Sequence, residues 1–487
     1  MYDNMCLVLD LGGPHSVAIA RKVRSCEIYC EVLPYDAEIG RIMSRAPRAL
    51  IVAGGEGNPF REDAPRLSEQ VYALGLPMLG LGFGAGVLLR ALGGRAVRSM
   101  PGRQTVEVSF GESRLFEGVS DSERFVERLD EAELPGGCRS IARMGDWSVA
   151  FEDEERKMWG VQFYPEQNDP DGLKILGNFA ASISGCERRW TMERFIEEEA
   201  ERIRRAVDDR PVVMAISGGV DSTVCAALMH RAVGDQLRCV YVDTGFMRSG
   251  DNDAVRRAFE KLPGLKLTRI EARERFLRCI EGVQDSKAKR EAVAQELTRV
   301  FEEYARELPG ETYLARGATY GDLTSRRSDE ARPAPPGFIS LIEPLKRLFK
   351  DEVHLLGEAL EVPEEVMRRQ AFPDAGLALR CLGEVTEEKL GTLRAADRIF
   401  RDEIEEAGLD RKIRQYFAVL ADLKTGGKDG YTLALRAVNW TGGSAVASAY
   451  RLPYDLLERV VERIMGEVDR VVRVVYDVTS RSNDIEW

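Results

Sequence analysis

Histidine is scarce in this sequence, and long apolar runs are missing. Only three histidines occur among 487 residues, which argues against a metal centre built from histidine. The nine cysteines show no C-x-x-C spacing, and their odd number argues against a disulfide framework and fits a reducing compartment. No apolar run approaches the roughly 20 residues that span a bilayer, and no export signal is visible. We therefore expect a cytoplasmic protein that does not enter a membrane.

Positive charge is also in the minority. Lysine and arginine number 69 against 81 aspartates and glutamates, so the formal net charge is -12. Nucleic-acid binding relies on clustered basic side chains that meet phosphates. The composition thus predicts no nucleic-acid partner, and any phosphate chemistry must come from a local site.

The first part of the chain is predicted to form a parallel sheet. The length alone favours roughly three domains of ordinary size. Residues 1–185 alternate short β-branched runs with helical patterns, which is typical of a parallel α/β domain. We predict strands at 7–11, 49–53, 77–81 and 159–163, and helices at 63–74 and 84–93.

A charged helix over 192–207 leads into a second α/β pattern, which closes near residue 385. The polar stretch 323–337 cannot bury a core face and is typical of a loop or lid. Residues 386–487 predict a small α+β unit that begins with a long helix. The predicted strands are 211–216, 238–243, 266–270, 312–315, 431–438 and 471–478, and a further helix is predicted at 453–466.

One loop carries a phosphate-binding pattern. Ser217-Gly-Gly-Val-Asp-Ser222 stands between a predicted strand and an apolar helix. Glycines let the backbone approach an anion, and free N–H groups with the helix dipole hold negative charge at a helix N-terminus. The run lacks the lysine of a Walker loop, so it is expected to cradle a released pyrophosphate. The alternative is a serine-capped helix that follows a glycine turn.

Motifs along the whole chain resemble the GMP synthetase family, whose second domain is an N-type ATP pyrophosphatase. They occur in the family's order and spacing: Trp190-Thr-Met-Glu-Arg-Phe-Ile196, Arg231-Ala-Val-Gly-Asp-Gln-Leu237, Val242-Asp-Thr-Gly-Phe-Met-Arg248, Leu341-Ile-Glu-Pro-Leu-Lys-Arg-Leu-Phe-Lys-Asp-Glu-Val353, Leu452-Pro-Tyr-Asp455 and Ile485-Glu-Trp487. The resemblance implies an α/β fold class with three domains. These are a class I glutamine amidotransferase-like α/β domain (1–185), an ATP-pyrophosphatase (adenine nucleotide alpha hydrolase-like) α/β domain (186–385) and a small C-terminal α+β domain (386–487) that makes a homodimer.

The resemblance also implies a reaction and its residues. A purine carbonyl oxygen attacks the α-phosphate of Mg-ATP, pyrophosphate leaves, and ammonia displaces AMP from the adenylated intermediate. ATP and Mg2+ are the implied cofactors. The implied catalytic residues are Asp221, Lys350, Asp351 and Asp322, and the ATP-binding residues are Ser217, Gly218, Gly219, Val220, Asp221, Ser222, Val242, Asp243, Gly245, Arg316 and Gly317. Lys350 and Asp351 alone would be an ordinary helix pair.

The amidotransferase-like part lacks the residues for glutamine hydrolysis. In the family a nucleophile elbow carries cysteine, and a later strand supplies histidine and glutamate; the matching positions here are Gly82, Tyr164 and Glu166. Hydrogen cannot attack an amide, and a phenol with a pKa near ~10 is a poor base at neutral pH. Gly54-Gly55, which helps form the family's oxyanion hole, remains. We expect no glutaminase activity.

The acceptor motif departs from the family as well. The family's Phe-Pro-Gly-Pro-Gly-Leu is Phe372-Pro-Asp-Ala-Gly-Leu377 here, so the Asp374 carboxylate would repel an anionic ligand. The lid 323–337 is shorter, and Trp440–Ala445 and Arg481–Asn483 also differ. The basic residues left to bind a phosphate are Arg380, Lys424, Lys428 and Arg481, although residues of this type are more often solvated surface charges. We expect that adenylation is retained and that the acceptor is altered. The alternative is that these positions changed by neutral drift in a redundant copy of the enzyme.

Two other functions stay open at this point. One is sulfur insertion into a nucleobase-like acceptor, for which Cys225 and Cys381 lie near the relevant elements. The other is a nucleotide-sensing protein without catalysis. In the amidation hypothesis the acceptor is a small nucleotide or nucleobase-like molecule, and the nitrogen comes from free ammonia or from a separate donor protein.

Overall fold

The computed structural model describes residues 4–166, 171–308, 311–324, 334–370, 372–421, 430–440, 446–479 and 481–482. Within these ranges only the backbone is described for Leu323, Thr324, Trp440, Val446, Ala447, Arg481 and Ser482. The chain forms two compact units, Met1–Arg194 and Phe195–Trp487. Among the described residues, no helix combines the length and the apolarity that crossing a bilayer requires.

The first unit is built on one nine-stranded sheet. Its strands are β1 Met5–Asp10, β2 Cys30–Pro34, β3 Pro47–Ala53, β4 Met78–Leu81, β5 Arg95–Phe110, β6 Ser122–Glu133, β7 Arg139–Met144, β8 Trp147–Asp153 and β9 Met158–Val161. The strand order is β2-β1-β3-β4-β9-β8-β7-β5-β6. Strands β1, β2, β3, β4 and β9 pair in parallel, and the pairs from β9 onward are antiparallel.

Helices cover the parallel half of this sheet. They are α1 His15–Arg24, α2 Ile39–Met43, α3 Glu69–Tyr72, α4 Phe83–Ala91 and α5 Gly172–Gly177. The central strands are apolar on both faces, and Leu7, Val8 and Leu9 are wholly buried. Continuous apolar strands are expected where a parallel sheet is covered on both sides. The predicted α/β fold is confirmed, but the sheet is parallel only over β1, β2, β3, β4 and β9 and is mixed as a whole.

The second unit begins with another parallel sheet. Its strands are β10 Val212–Ile216, β11 Leu237–Asp243, β12 Leu267–Glu271, β13 Tyr313–Ala315 and β14 Ser340–Ile342, in the order β12-β11-β10-β13-β14. The helices are α6 Met192–Val207, which contains the unit boundary, α7 Val220–Val233, α8 Asp251–Glu260, α9 Arg273–Cys279, α10 Ser286–Arg306, α11 Tyr320–Thr324, α12 Lys350–Ala359 and α13 Glu364–Met367. The loop after the central strand β10 therefore opens at the carboxyl edge of the sheet, where ligands bind in open α/β folds.

The end of the chain adds a mixed sheet and two helices. The elements are α14 Glu387–Glu406, β15 Gln415–Ala421, β16 Tyr431–Trp440, β17 Val446–Ala449, α15 Tyr454–Glu467, β18 Val471–Tyr476 and β19 Arg481–Ser482. Strand β16 pairs antiparallel with β15 and β17 and parallel with β18. Apolar side chains of this part, such as Phe400 and Leu433, share one buried cluster with Val213 and Val240 of the parallel sheet. The three-domain division stays a prediction.

One sequence prediction of a helix is wrong for most of its length. The pattern over 63–74 predicted a helix, but only Glu69–Tyr72 is helical. Pro65 lies in the missing part, and proline removes the N–H that a helix interior needs. By contrast, the helix predicted over 192–207 has these limits in the structure.

Candidate active site

The phosphate loop is a compact turn held by its own hydroxyl groups. The Oγ atoms of Ser217 and Ser222 lie 3.0 Å apart, and the Ser222 hydroxyl donates to the Gly219 carbonyl at 3.1 Å. The Gly219 N–H donates to Ser217 Oγ at 3.3 Å. Val220 begins α7 directly after Gly219. Two hydroxyls and a backbone amide thus converge at a helix N-terminus, which suits an anion.

Two glycines make this loop possible. Gly218 has φ +79, and a Cβ on it would lie 2.3 Å from a methyl group of Val255. Gly317 follows β13, and a Cβ there would lie 2.9 Å from the carbonyl oxygen of Asp221. Since a backbone atom cannot move aside as a side chain can, position 317 requires glycine. The predicted ATP-binding pair Arg316 and Gly317 therefore lies beside the loop, with the Arg316 side chain exposed.

Charged residues face one another beside the loop. Asp221 lies in the first turn of α7, and Lys350 is the first residue of α12. Burial raises the pKa of Asp221, the Lys350 charge opposes this, and the Asp322 charge adds to it. Asp322 Oδ2 accepts hydrogen bonds from the N–H and the hydroxyl of Thr319 at 2.8 Å each. The predicted catalytic residues Asp221, Lys350 and Asp322 are thus near enough for the charges of Lys350 and Asp322 to act on Asp221.

The same residues fit a magnesium ion that arrives with a nucleotide. Among the described residues, no group of three or more His, Cys, Asp or Glu side chains is arranged to hold a metal alone. Magnesium sites typically combine one or two carboxylates with substrate phosphates and water. The mutual repulsion of Asp221 and Asp322 is the kind that a cation relieves. Asp351 follows Lys350 and is exposed.

Asp243 is wholly buried at the end of β11, and both of its carboxylate oxygens accept hydrogen bonds. Its Oδ1 accepts from the Gly245 N–H at 3.0 Å, and Oδ2 accepts from Asn252 at 2.8 Å, Arg269 at 2.5 Å and Arg273 at 3.0 Å. Burial alone would raise the pKa of Asp243, but these hydrogen bonds lower it below its usual value. The carboxylate therefore fixes the turn at Gly245, and both of its oxygens are occupied by protein donors.

Two buried arginines lie at the predicted acceptor site. Arg380 and Arg248 both approach Asp397, each with a nitrogen at 3.7 Å from one of its oxygens. Both guanidinium groups lie over the Phe372 ring, at 5.1 and 4.4 Å from its centroid. Nitrogens of both arginines have no hydrogen-bond partner among the described residues. Burial first, and then the Arg248 charge, lower the pKa of Arg380 to about 9.

The acceptor motif packs on the loop that follows β11. The Leu377 N–H donates to the Phe246 carbonyl at 2.8 Å, and a Cβ on Gly376 would lie 2.4 Å from the same oxygen. The Asp374 side chain is exposed. Arg481 lies in β19 without a described side chain, and the predicted positions 424, 428 and 441–445 lie outside the described residues.

In the first unit, the nucleophile elbow keeps its shape without a nucleophile. Gly82 has φ +55 and ψ -117 at the start of α4. A Cβ on Gly82 would lie 2.2 to 2.5 Å from three atoms of the Tyr164 ring and hydroxyl. The Tyr164 side chain therefore occupies the space of a nucleophilic side chain. Burial chiefly raises the pKa of Tyr164, so the phenol stays protonated and is a poor base.

The amides of the expected oxyanion hole are engaged elsewhere. The Gly55 N–H donates to the Gly12 carbonyl at 2.6 Å, and the backbone of Phe83 makes a hydrogen bond to the Tyr164 hydroxyl that lowers its pKa slightly. Of the retained pair Gly54-Gly55, the Gly55 amide is thus occupied by a backbone carbonyl. A cavity of about 390 Å3 remains above the elbow, lined in part by Arg103, Phe83 and Tyr164.

Glu166 has a histidine partner that the sequence did not indicate. His15 Nδ1 lies 2.8 Å from Glu166 Oε1, and Nε2 lies 3.3 Å from Glu127 Oε2. The imidazole also stacks on Tyr164 with centroids 4.1 Å apart. The histidine therefore contacts Tyr164, the position that matches the family's histidine.

Three functional candidates were missed in the sequence. Arg248 ends the motif Val242–Arg248, but a role for it becomes visible only when the fold brings it close to Arg380. His15 lies far in sequence from Glu127 and Glu166, and Arg369 lies far from Gly218 and Asp251, to which it donates hydrogen bonds. The scarcity of histidine was the sequence feature that could have drawn attention to His15. No local sequence pattern marks Arg369 as a functional residue.

Comparisons with known proteins give a consistent result. Family models match residues 7–183 (Glutamine amidotransferase class-I), 200–284 (Asparagine synthase) and 402–487 (GMP synthase C terminal domain). The chain is 41% identical over 511 residues to "GMP synthase [glutamine-hydrolyzing]" of Acetivibrio thermocellus, covering 100% of both chains. Proteins with the same name from Caldicellulosiruptor saccharolyticus (40% over 517 residues, 100% of both) and Symbiobacterium thermophilum (41% over 509 residues, 99% of both) are similarly close.

Proposed function

The chain belongs to the GMP synthase family, and we propose that it adenylates a carbonyl oxygen of a purine nucleotide with ATP and replaces that oxygen by ammonia. Its class, an ATP-dependent and AMP-forming ligase of the ATP-pyrophosphatase type, follows from the family. The observation that carries the proposal is the phosphate loop between Ser217 and Ser222, with its converging hydroxyls and amide.

In the adenylation step, the phosphate loop and the charged residues beside it have different roles. The acceptor oxygen attacks the α-phosphorus of ATP, and the bond from that phosphorus to the bridging oxygen breaks. The hydroxyls of Ser217 and Ser222 hold the departing pyrophosphate together with the Gly219 amide, which exchanges its long bond to Ser217 Oγ for a phosphate oxygen, while Lys350 offsets the charge. Asp221 and Asp322 are the residues that would hold Mg2+, which supplies further neutralisation of that charge. Ammonia then adds at the activated carbon, and AMP leaves.

The buried arginines support an acceptor that carries an anionic group. Arg248 and Arg380 share the single carboxylate of Asp397, so the cluster keeps a net positive charge and nitrogens without partners. A buried charge of this kind is stabilised by a hydrogen-bonded anion, and a phosphate fits a guanidinium fork well. We therefore place the acceptor phosphate at this cluster and keep Asp374 and Arg481 as residues that select the acceptor.

The test of the proposal is acceptor-dependent formation of AMP and pyrophosphate. Purified protein with ATP, Mg2+ and ammonium is offered xanthosine monophosphate and a panel of other purine nucleotides and nucleobases. We expect turnover with a phosphorylated purine, and losses on the order of 100-fold or more with Asp221→Asn. ATP binding without turnover on any acceptor would leave the nucleotide-sensing alternative.

We further propose that this chain does not hydrolyse glutamine, unlike the relatives named above. Gly82 offers no nucleophile, Tyr164 fills its space, and the amide of Gly55 is engaged. Ammonium should therefore support turnover, whereas glutamine should not. Glutamate released from glutamine at a rate that matches AMP formation would contradict this proposal. If glutamine does not support turnover, a separate ammonia donor is the expected source of nitrogen.

The sulfur-insertion alternative has no support from the cysteines. Cys225 is wholly buried, burial raises the pKa of its thiol well above the usual value, and its Sγ donates to the Arg316 carbonyl at 3.7 Å. Cys381 is also buried. A thiol of this kind is an inert core residue and does not carry sulfur to a substrate.

The domain limits 1–185, 186–385 and 386–487 and a homodimer through the last domain remain part of the proposal. Exposed apolar side chains in the last domain, Tyr454, Met465, Val475 and Val478, support such an interface. A measurement of mass in solution tests it, and Val478→Asp is expected to shift a dimer towards monomer.

A further inference from the structure

Arg369 joins the phosphate loop to the start of α8. Its Nη1 donates to the Gly218 carbonyl at 2.5 Å, and its Nη2 donates to Asp251 Oδ1 at 2.6 Å. The side chains of Arg369 and Asp251 are 19% and 12% exposed. A charged hydrogen bond to a backbone carbonyl in such a shielded place is stronger and more directional than a surface ion pair.

The bond to Gly218 fixes the direction of the next amide. In a trans peptide the C=O of one residue and the N–H of the next point in opposite directions. Arg369 therefore turns the Gly219 N–H away from itself, towards the side where Ser217 Oγ accepts it at 3.3 Å. That side carries both loop hydroxyls. Gly218 has φ +79 and could rotate readily without a partner for its carbonyl, because glycine has little steric restriction.

Arg369 also stands between the loop and the acceptor arginines. Three residues later the chain reaches Phe372, whose ring lies under both Arg248 and Arg380. The N–H of Asp251, the second partner of Arg369, donates to the Arg248 carbonyl at 3.3 Å. The guanidinium group of Arg369 thus holds the phosphate loop in a fixed place relative to Arg248 and Arg380.

We infer that Arg369 is a positioning residue for the adenylation step: it aims the Gly219 amide at the departing pyrophosphate and keeps the phosphate loop aligned with the acceptor site. The inference rests on the proposed function, since it assigns the loop to pyrophosphate. Arg369 acts through the Gly218–Gly219 peptide and needs no contact with substrate.

The neighbouring arginine provides a matched control. Arg368 is 54% exposed and pairs with Glu364 one helical turn earlier. Arg368→Gln removes the same charge one residue away without touching the loop. Arg369→Gln removes both bonds, and Arg369→Lys keeps the charge but provides no fork that reaches both partners. Asp251→Asn leaves the bond to Gly218 and weakens only its support.

The experiment measures pyrophosphate binding by calorimetry and steady-state AMP formation, with Tm as a check of folding. We expect Arg369→Gln to weaken pyrophosphate binding and to raise the KM for ATP by about tenfold or more, because a charged hydrogen bond that orients a ligand group is lost. Arg369→Lys and Asp251→Asn should fall between it and wild type. Arg368→Gln should stay within about twofold of wild type.

Three results would overturn the inference. Either Arg369→Gln behaves as Arg368→Gln does, or it lowers Tm while the pyrophosphate affinity and the KM for ATP of the folded protein stay unchanged. If Arg369→Gln fails to fold, Asp251→Asn with unchanged pyrophosphate affinity would overturn it as well. Absence of AMP formation by wild type with every acceptor is a separate failure, that of the proposed function, because pyrophosphate binding still compares the variants.

Discussion

At the scale of single residues, we expect the Tyr164 side chain to determine whether a nucleophile at position 82 could act. Restoring a thiol with Gly82→Cys is expected to give no glutaminase activity, because the new Cβ would lie 2.2 Å from the Tyr164 ring. The overpacked side chain should also destabilise the unit by about 1–3 kcal/mol. Glutamate release and chemical denaturation measure the two effects.

Gly82→Ala is the matched control for this substitution. It adds the Cβ without the sulfur, so it should lose comparable stability and also release no glutamate. The double variant Gly82→Cys with Tyr164→His removes the clash but leaves the Gly55 N–H bound to the Gly12 carbonyl. Enzymatic glutamate release by the single cysteine variant would show that the Tyr164 ring moves aside.

His15 makes the stability of the first unit depend on pH. Burial alone would lower its pKa, but the hydrogen bonds and charges of Glu166 and Glu127 outweigh burial and raise it. A histidine with a raised pKa in the folded state contributes stability below its unfolded pKa of about 6.5, and this contribution is lost as pH rises through the folded value. We therefore expect the free energy of unfolding to fall over that window.

His15→Gln isolates this effect. The variant should be less stable than wild type by about 1–3 kcal/mol at pH 6, because a buried charged pair with Glu166 is broken. The difference should shrink as pH increases above the folded pKa of His15. Denaturant unfolding across pH 5.5 to 8.5, a range of about three pH units around the histidine pKa, measures it. A difference that is constant over this range would contradict the assignment.

At the scale of elements, we expect the packing of the turn after β13 against the phosphate loop to affect ATP binding. Gly317→Ala should raise the KM for ATP by about tenfold, because its Cβ would press on the Asp221 carbonyl at 2.9 Å and shift the start of α7. Gly321→Ala is the control, since a Cβ there meets nothing within 4 Å. Equal kinetic constants for both variants would show that the loop tolerates the shift.

The parallel sheets were the predictable elements, because their strands are short apolar runs between turn residues. The long hairpin of β5 and β6 was not predicted, since the first part of β5 is mostly exposed and includes Pro101 and Gly102, and only Val106 and Val108 give that strand a short alternating buried face. Cross-strand pairs such as Arg95 with Glu133 at 2.7 Å become visible only when the two strands meet. The helix α10 Ser286–Arg306 lies where the α/β pattern predicted a helix between two strands, but its limits were not predicted, because most of its surface is polar and only a narrow stripe is buried.

The phosphate loop could be found from sequence because all its donors lie within six consecutive positions. The acceptor cluster could not, since Arg248, Arg380 and Asp397 come from separate elements. The sequence assigned Asp243 to the ATP site, but the structure shows its carboxylate held by Arg269 and Arg273. Local chemistry is readable in a chain, whereas the sharing of one carboxylate among distant cations is a property of the fold.

At the scale of the whole molecule, every residue proposed for ATP and acceptor binding belongs to the unit Phe195–Trp487. The junction supports a cut just before α6. Trp190 packs on Tyr29 and Arg24 of the first unit, whereas Phe195 and Ile203 of α6 are buried. A fragment of residues 191–487 therefore keeps α6 and the complete site.

This fragment is expected to retain ammonium-dependent AMP formation. If the first unit supplies neither nitrogen nor a catalytic group, kcat with saturating ammonium should stay within about threefold of the full chain, a difference under about 0.7 kcal/mol in activation free energy. The full chain carrying Tyr164→Phe serves as a control for changes confined to the elbow. A fragment that keeps its fold by circular dichroism but loses turnover would mean that the first unit contributes to catalysis by a route other than glutamine hydrolysis.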